Sequence, residues 1–125
     1  MSLKAGDIIT FERTFTVRDV ELFTEISGDA GIHHITPDEQ GRLVIQGLLT
    51  ATLPTKIAGD NNVLARSTSF EFLRPVFTGD TIVCIVKIEK YERQENNRTV
   101  FVASFLCKNE NEKEVLKGDV SGVIL

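Results

Sequence analysis

The second half of this chain most restricts what it can fold into. After Asn62 the side-chain pattern changes to a period near two, and four long β-type runs follow, at residues 63–73, 81–91, 99–108 and 115–124. The dividers are Thr78-Gly79-Asp80, the charged stretch 92–97 and the polar stretch 109–112. Gly beside Asp, and clustered polar residues, favour reversal of an extended chain, so the economical arrangement is an antiparallel meander. Parts of these runs, such as residues 82–88 and 100–107, are apolar on both alternating faces. One face is suited to a core and the other to a second subunit.

The first half supplies what such a sheet covers. Residues 8–15 alternate loosely and read as a strand. Thr16 then has the character of a helix N-cap, with Asp19 three residues on and an apolar stripe at Val17, Val20, Leu22, Phe23 and Ile26. Gly28 fits the helix stop. A loop runs on through Pro37, and residues 38–42 are too polar for a core. After the short apolar run 43–45, residues 47–58 are apolar on most faces, which marks a buried helix. Leu48, Leu49 and Leu53 read as its core face, and Pro54 is expected to bend it. Residues 59–62 end it. A single α+β domain, residues 1–125, follows: a curved antiparallel sheet wrapped around a long central helix.

Composition narrows the function. With 125 residues, 42% hydrophobic and 26% charged, the chain has the makeup of one ordinary globular domain. A net charge of −4 without a basic cluster argues against a nucleic-acid partner. No run approaches the roughly 18 apolar residues of a membrane span, so no membrane partner is expected. The first ten residues carry Lys4 and Asp7 and lack the apolar run of a signal peptide. Cys84 and Cys107 stand alone in apolar runs, without the neighbours of a zinc site, and read as reduced core thiols. A cytoplasmic protein is expected.

Chemistry concentrates in one place. The only two histidines are His33 and His34, and Asp29 precedes His34 by five residues, just after the helix that stops on Gly28. A carboxylate and an imidazole at this spacing form a plausible acid–base pair, because the unperturbed histidine pKa lies nearest neutrality. The same Asp suits ordinary turn chemistry, capping its own backbone. His33, one step out of register, is expected to point elsewhere.

At these residues the chain resembles the MaoC-like family of hot-dog proteins, whose best-known enzymes are the (R)-specific enoyl-CoA hydratases. Three segments carry the resemblance: residues 23–29 followed by His34, residues 44–49 (Val44-Ile45-Gln46-Gly47-Leu48-Leu49), and residues 72–80 (Phe72-Leu73-Arg74-Pro75-Val76-Phe77-Thr78-Gly79-Asp80). It extends from about Gly6 to Val123. It implies the hot-dog fold and, as site residues, catalytic Asp29, His34 and Gly47 with substrate contacts at Gly31, Gln46 and Thr55. It also implies an acyl-CoA thioester substrate and a homodimer or higher homo-oligomer. Three departures stand out. The family's Asn-Pro between Asp and His is Gly31-Ile32 here, its His before the helix-opening Gly is Gln46, and the segment from His34 to Gly47 is short.

The reaction so implied is addition of water to a 2-enoyl thioester, or its reverse. Asp29 activates the water, His34 holds it and relays the proton, and the Gly47 N–H steadies the enolate oxygen. No metal or redox cofactor is required. Two other classes use the same residues: a hot-dog thioesterase, with water directed at the carbonyl, and a non-catalytic acyl-thioester-binding module.

Overall fold

The computed structural model describes residues 3–124. Strand β1 (Ile8–Thr14) is followed by helix α1 (Val17–Ser27), the single turn α2 (Ile32–Ile35), and helices α3 (Gly47–Thr50) and α4 (Thr52–Asp60). Four strands complete the chain: β2 (Val63–Phe72), β3 (Thr81–Arg93), β4 (Thr99–Lys108) and β5 (Glu114–Ile124). The strands form one sheet in the order β1-β3-β4-β5-β2, every pair antiparallel.

The meander expected from the sequence holds for β3, β4 and β5 only. Strand β2 leaves its successor and pairs with β5 at the far edge, and β1 takes the place beside β3. The connection from β2 to β3 is a built structure rather than a tight turn. Phe77 N–H donates to Asp80 Oδ2 at 2.9 Å, Gly79 takes φ +94°, and Val76 is buried. That bend is long enough to carry the chain across the end of the sheet.

Helix α1 opens with the expected capping box. Thr16 Oγ1 accepts from Asp19 N–H at 3.2 Å, and Asp19 Oδ2 accepts from Thr16 N–H at 2.9 Å. It stops at Gly28, left-handed at φ +75°. Its apolar stripe is not the core face that the periodicity suggests. Only Val20 is fully buried, and Leu22 and Ile26 are 46% and 84% exposed. Val20 joins the core and Phe23 packs against it, but the four-residue turn α2 is too short to cover the rest of the stripe.

The apolar helix is broken three residues before Pro54, at Ala51 (φ −65°, ψ −10°). Proline has no N–H for the Thr50 carbonyl, and its ring crowds that carbonyl, so the regular ladder fails one turn upstream of the ring. Leu49, Leu53 and Ile57 point into the core, where they join Ile82, Cys84, Val86 and Ile88 of β3 and Phe101, Ala103, Phe105 and Cys107 of β4. Leu48 is 58% exposed and departs from the core face expected of it. Cys84 and Cys107 are register partners and fully buried, and the Cys84 hydrogen bond together with burial pushes the Cys107 thiol up. Such thiols are inert.

Candidate active site

Asp29 follows the αL residue Gly28 and is held by its own loop. Its N–H donates to Ser27 Oγ at 3.0 Å, and its Oδ1 accepts from Gly31 N–H at 3.3 Å, an Asx turn. That leaves Oδ2 to face His34. The imidazole sits in the single turn α2, which begins at Gly31, with His34 N–H donating to the Gly31 carbonyl at 2.8 Å. Five residues of sequence thus bring Asp29 Oδ2 to 3.5 Å from His34 Nε2.

His34 is 6% exposed and anchored from behind. Its Nδ1 lies 2.6 Å from the Val44 carbonyl, which only accepts, so the neutral ring carries its proton on Nδ1 and presents a bare Nε2 toward Asp29. Val44 is itself fixed on both sides. Its N–H donates to the His33 carbonyl at 3.0 Å, and it forms a β-bridge with Phe77. Ile45 N–H donates to the Val76 carbonyl at 2.8 Å, and Thr78 N–H to the Leu43 carbonyl at 2.9 Å. The bend between β2 and β3 therefore supports the strand-like segment that holds the histidine.

The pair opens on a cavity of about 460 Å³, whose wall includes Asp29, His33, His34, Gly47, Leu48, Thr50, Phe72 and Arg74. Gly47 lies at the start of α3, where first-turn N–H groups have no helical partner, and its N–H makes no hydrogen bond among the described residues. A side chain is not tolerated there without rearrangement: a Cβ on Gly47 would stand 2.7 Å from Phe72 Cε1. Asp29, His34 and Gly47 thus share one cavity wall.

The other sequence-predicted residues are placed differently. Gly31 does not line the cavity. It makes room for the rings, since a Cβ would meet His33 Cε1 at 3.0 Å and His34 Cδ2 at 3.3 Å. Gln46 is 1% exposed and lies behind the wall, its Nε2 donating to Thr24 Oγ1 and the Asp29 carbonyl. Thr55 is on the exposed side of α4, its hydroxyl donating to the Ala51 carbonyl, and it lines a separate cavity of about 200 Å³ with Ala58, Phe70 and Val120. Conversely His33, expected to point elsewhere, lines the first cavity with its ring centroid 3.9 Å from that of His34. Thr50 also reaches this wall. Its signal in the sequence is a hydroxyl within an apolar helical run.

Comparison with known proteins agrees with this architecture. No family model matches the chain. Among curated proteins it is similar to a mitochondrial 3-hydroxyacyl-[acyl-carrier-protein] dehydratase of Arabidopsis thaliana, 27% identical over 129 aligned residues that cover 98% of this chain and 78% of the relative. Among solved structures it is similar to the (R)-hydratase from A. caviae involved in PHA biosynthesis, with a TM-score of 0.85 at 21% identity over 99% of this chain and 98% of that one. The MaoC-like dehydratase from Rhodospirillum rubrum superposes with a TM-score of 0.77 at 14% identity, over 98% and 93% of the two chains. Along nearly its whole length the chain has the hot-dog fold of these solved structures.

Proposed function

We propose that the chain adds water to the double bond of 2-enoyl-CoA thioesters, or removes it from 3-hydroxyacyl-CoA in the reverse direction. The observation that carries this reading is the Asp29–His34 pair, 3.5 Å apart on the wall of a cavity that also holds Gly47. With its proton on Nδ1, His34 offers a lone pair at Nε2, and Asp29 offers a carboxylate oxygen. Two acceptors at this separation are joined by a water that donates one hydrogen to each, leaving its own lone pairs directed at a third atom.

That atom is C3 of the enoyl thioester. As the water oxygen bonds to C3, Asp29 takes its proton, and the π electrons move toward the thioester oxygen. The Gly47 N–H receives the developing negative charge, fixed in advance by the helix start. The proton that Asp29 took then moves to the bare His34 Nε2 and from there to C2, and the carbonyl reforms. One water is added, and both side chains return to their starting states. General acid–base catalysis of this kind contributes about 10²–10⁴-fold.

Arg74 in the same wall offers a cation for the phosphates of coenzyme A. A homodimer is the assembly we infer. Its support is β2, an edge strand with nearly all residues exposed, including Leu64 at 54% and Phe72 at 53%. A reducing compartment such as the cytoplasm suits the two buried free thiols.

The test is a spectrophotometric assay with crotonyl-CoA and a thiol reagent together. Loss of the conjugated enoyl absorbance without thiol release is the expected result. Thiol release would make the protein a thioesterase. Thermal stabilisation by the ligand with neither change would make it a binding module. The same assay with crotonyl-acyl carrier protein separates the two carriers.

A further inference from the structure

We propose that Gln46 is the positioning residue that holds Asp29 in register with His34 and Gly47, a role that rests on the hydration reading above. Its side chain is almost wholly buried, and both amide hydrogens are committed. Nε2 lies 2.8 Å from Thr24 Oγ1 and 3.3 Å from the Asp29 carbonyl. The amide cannot be turned round. The Thr24 hydroxyl gives its own hydrogen to the Val20 carbonyl at 2.8 Å, so Oγ1 has only lone pairs to offer, and the Asp29 carbonyl likewise only accepts. Both partners require the NH₂ group.

Oε1 is then left buried without a partner among the described residues. An unpaired buried acceptor destabilises, and a methionine of similar length would fill the space without one. The amide is accounted for by its two donors. Such local violations concentrate where function demands them.

What the donors hold is the loop side of the site. Asp29 lies between Gly28, at φ +75°, and Gly31, and its other restraints come from Ser27 and Gly31, each two residues away. Among the described residues, Gln46 is the one tether reaching the Asp29 main chain from a distant part of the sequence. It also directly precedes Gly47. One residue therefore couples the position of the carboxylate to that of the N–H donor across the cavity.

The test uses Gln46→Met, which keeps the length and removes the donors. Crotonyl-CoA hydration should lose about 10- to 100-fold in kcat with KM within a few-fold, the cost of a small misplacement of a reacting group. The same substitution added to Asp29→Asn should lower the residual rate no further. Independently of activity, amide exchange of Gly31, whose N–H donates to Asp29 Oδ1, should accelerate at least several-fold while β4 amides are unchanged. Unchanged Gly31 exchange, or an unchanged kcat with only KM raised, would overturn the proposal. A wild-type protein without hydration overturns the hydration reading, and Gly31 exchange then decides the tether alone. Gln46→Asn, too short to reach both acceptors, serves the same readouts if the methionine variant does not fold.

Discussion

Position 47 illustrates how much of the site depends on one missing atom. The Phe72 ring from β2 closes over Gly47, and a methyl group there would enter the space of the ring edge at 2.7 Å. Gly47→Ala should therefore lower hydration sharply by moving either the ring or the start of α3. Adding Phe72→Ala should restore much of the rate, because it removes the collision; steady-state kinetics of the two variants check this. The pairing of Asp29 with His34 was legible in the sequence because it is local: an Asx turn and one helical turn span it. The fate of Gln46 and Thr55 was not. The direction of Thr55 follows from the break of the helix at Ala51, and that of Gln46 from the pairing of the preceding residues 44–45 with the bend at Val76 and Phe77. His33 escaped the reading for a similar reason. A loop histidine has no fixed face until Gly31 allows both rings to sit against it.

Among the elements, α1 supplies a pH-dependent contribution. Burial pushes the Asp19 carboxyl up, but hydrogen bonds from the Thr16 N–H and hydroxyl and the charge of Arg13 outweigh it and leave the pKa below the ordinary 3.8. A depressed folded value stabilises above the unfolded pKa, and that stabilisation is lost as pH falls through the folded one. Asp19→Asn should thus be less stable than wild type near neutrality, by about 0.3–1 kcal/mol. The difference should shrink once the pH falls below 3.8. Urea unfolding at several pH values reads it.

The edge of the sheet makes a second demand. A Cβ at Gly118 of β5 would lie 1.9 Å from the Ser69 carbonyl oxygen of β2, so the two backbones approach as only glycine permits. Gly118→Ala should cost at least about 1–3 kcal/mol, seen in the same unfolding curves. The strands themselves were readable from alternation, and β4 runs over the residues the pattern marks. Which strands pair was not, since alternation carries no partner. The crossing of β2 to β5 rests on the long bend at 73–80 and on the close backbone approach at Gly118.

At the scale of the whole molecule, the sheet leaves β2 with one free edge, and α1 with a half-exposed apolar stripe. Light scattering should give about twice the chain mass of 13.9 kDa, and a stable monomer would contradict the assembly proposed here. Within each copy the fold has a single consequence for chemistry: the bend, the 43–45 segment and α2 lock an imidazole, and a glycine-flanked loop sets a carboxylate against it. The measurement that bears most directly on this is the rate of enoyl absorbance loss from crotonyl-CoA by wild type, Asp29→Asn, His34→Asn and the double variant, each checked for folding by circular dichroism. Two groups acting as one unit predict that each single change costs about 10²-fold or more and that the double variant is hardly worse than either. A His34→Asn protein that retains the wild-type rate would contradict the account.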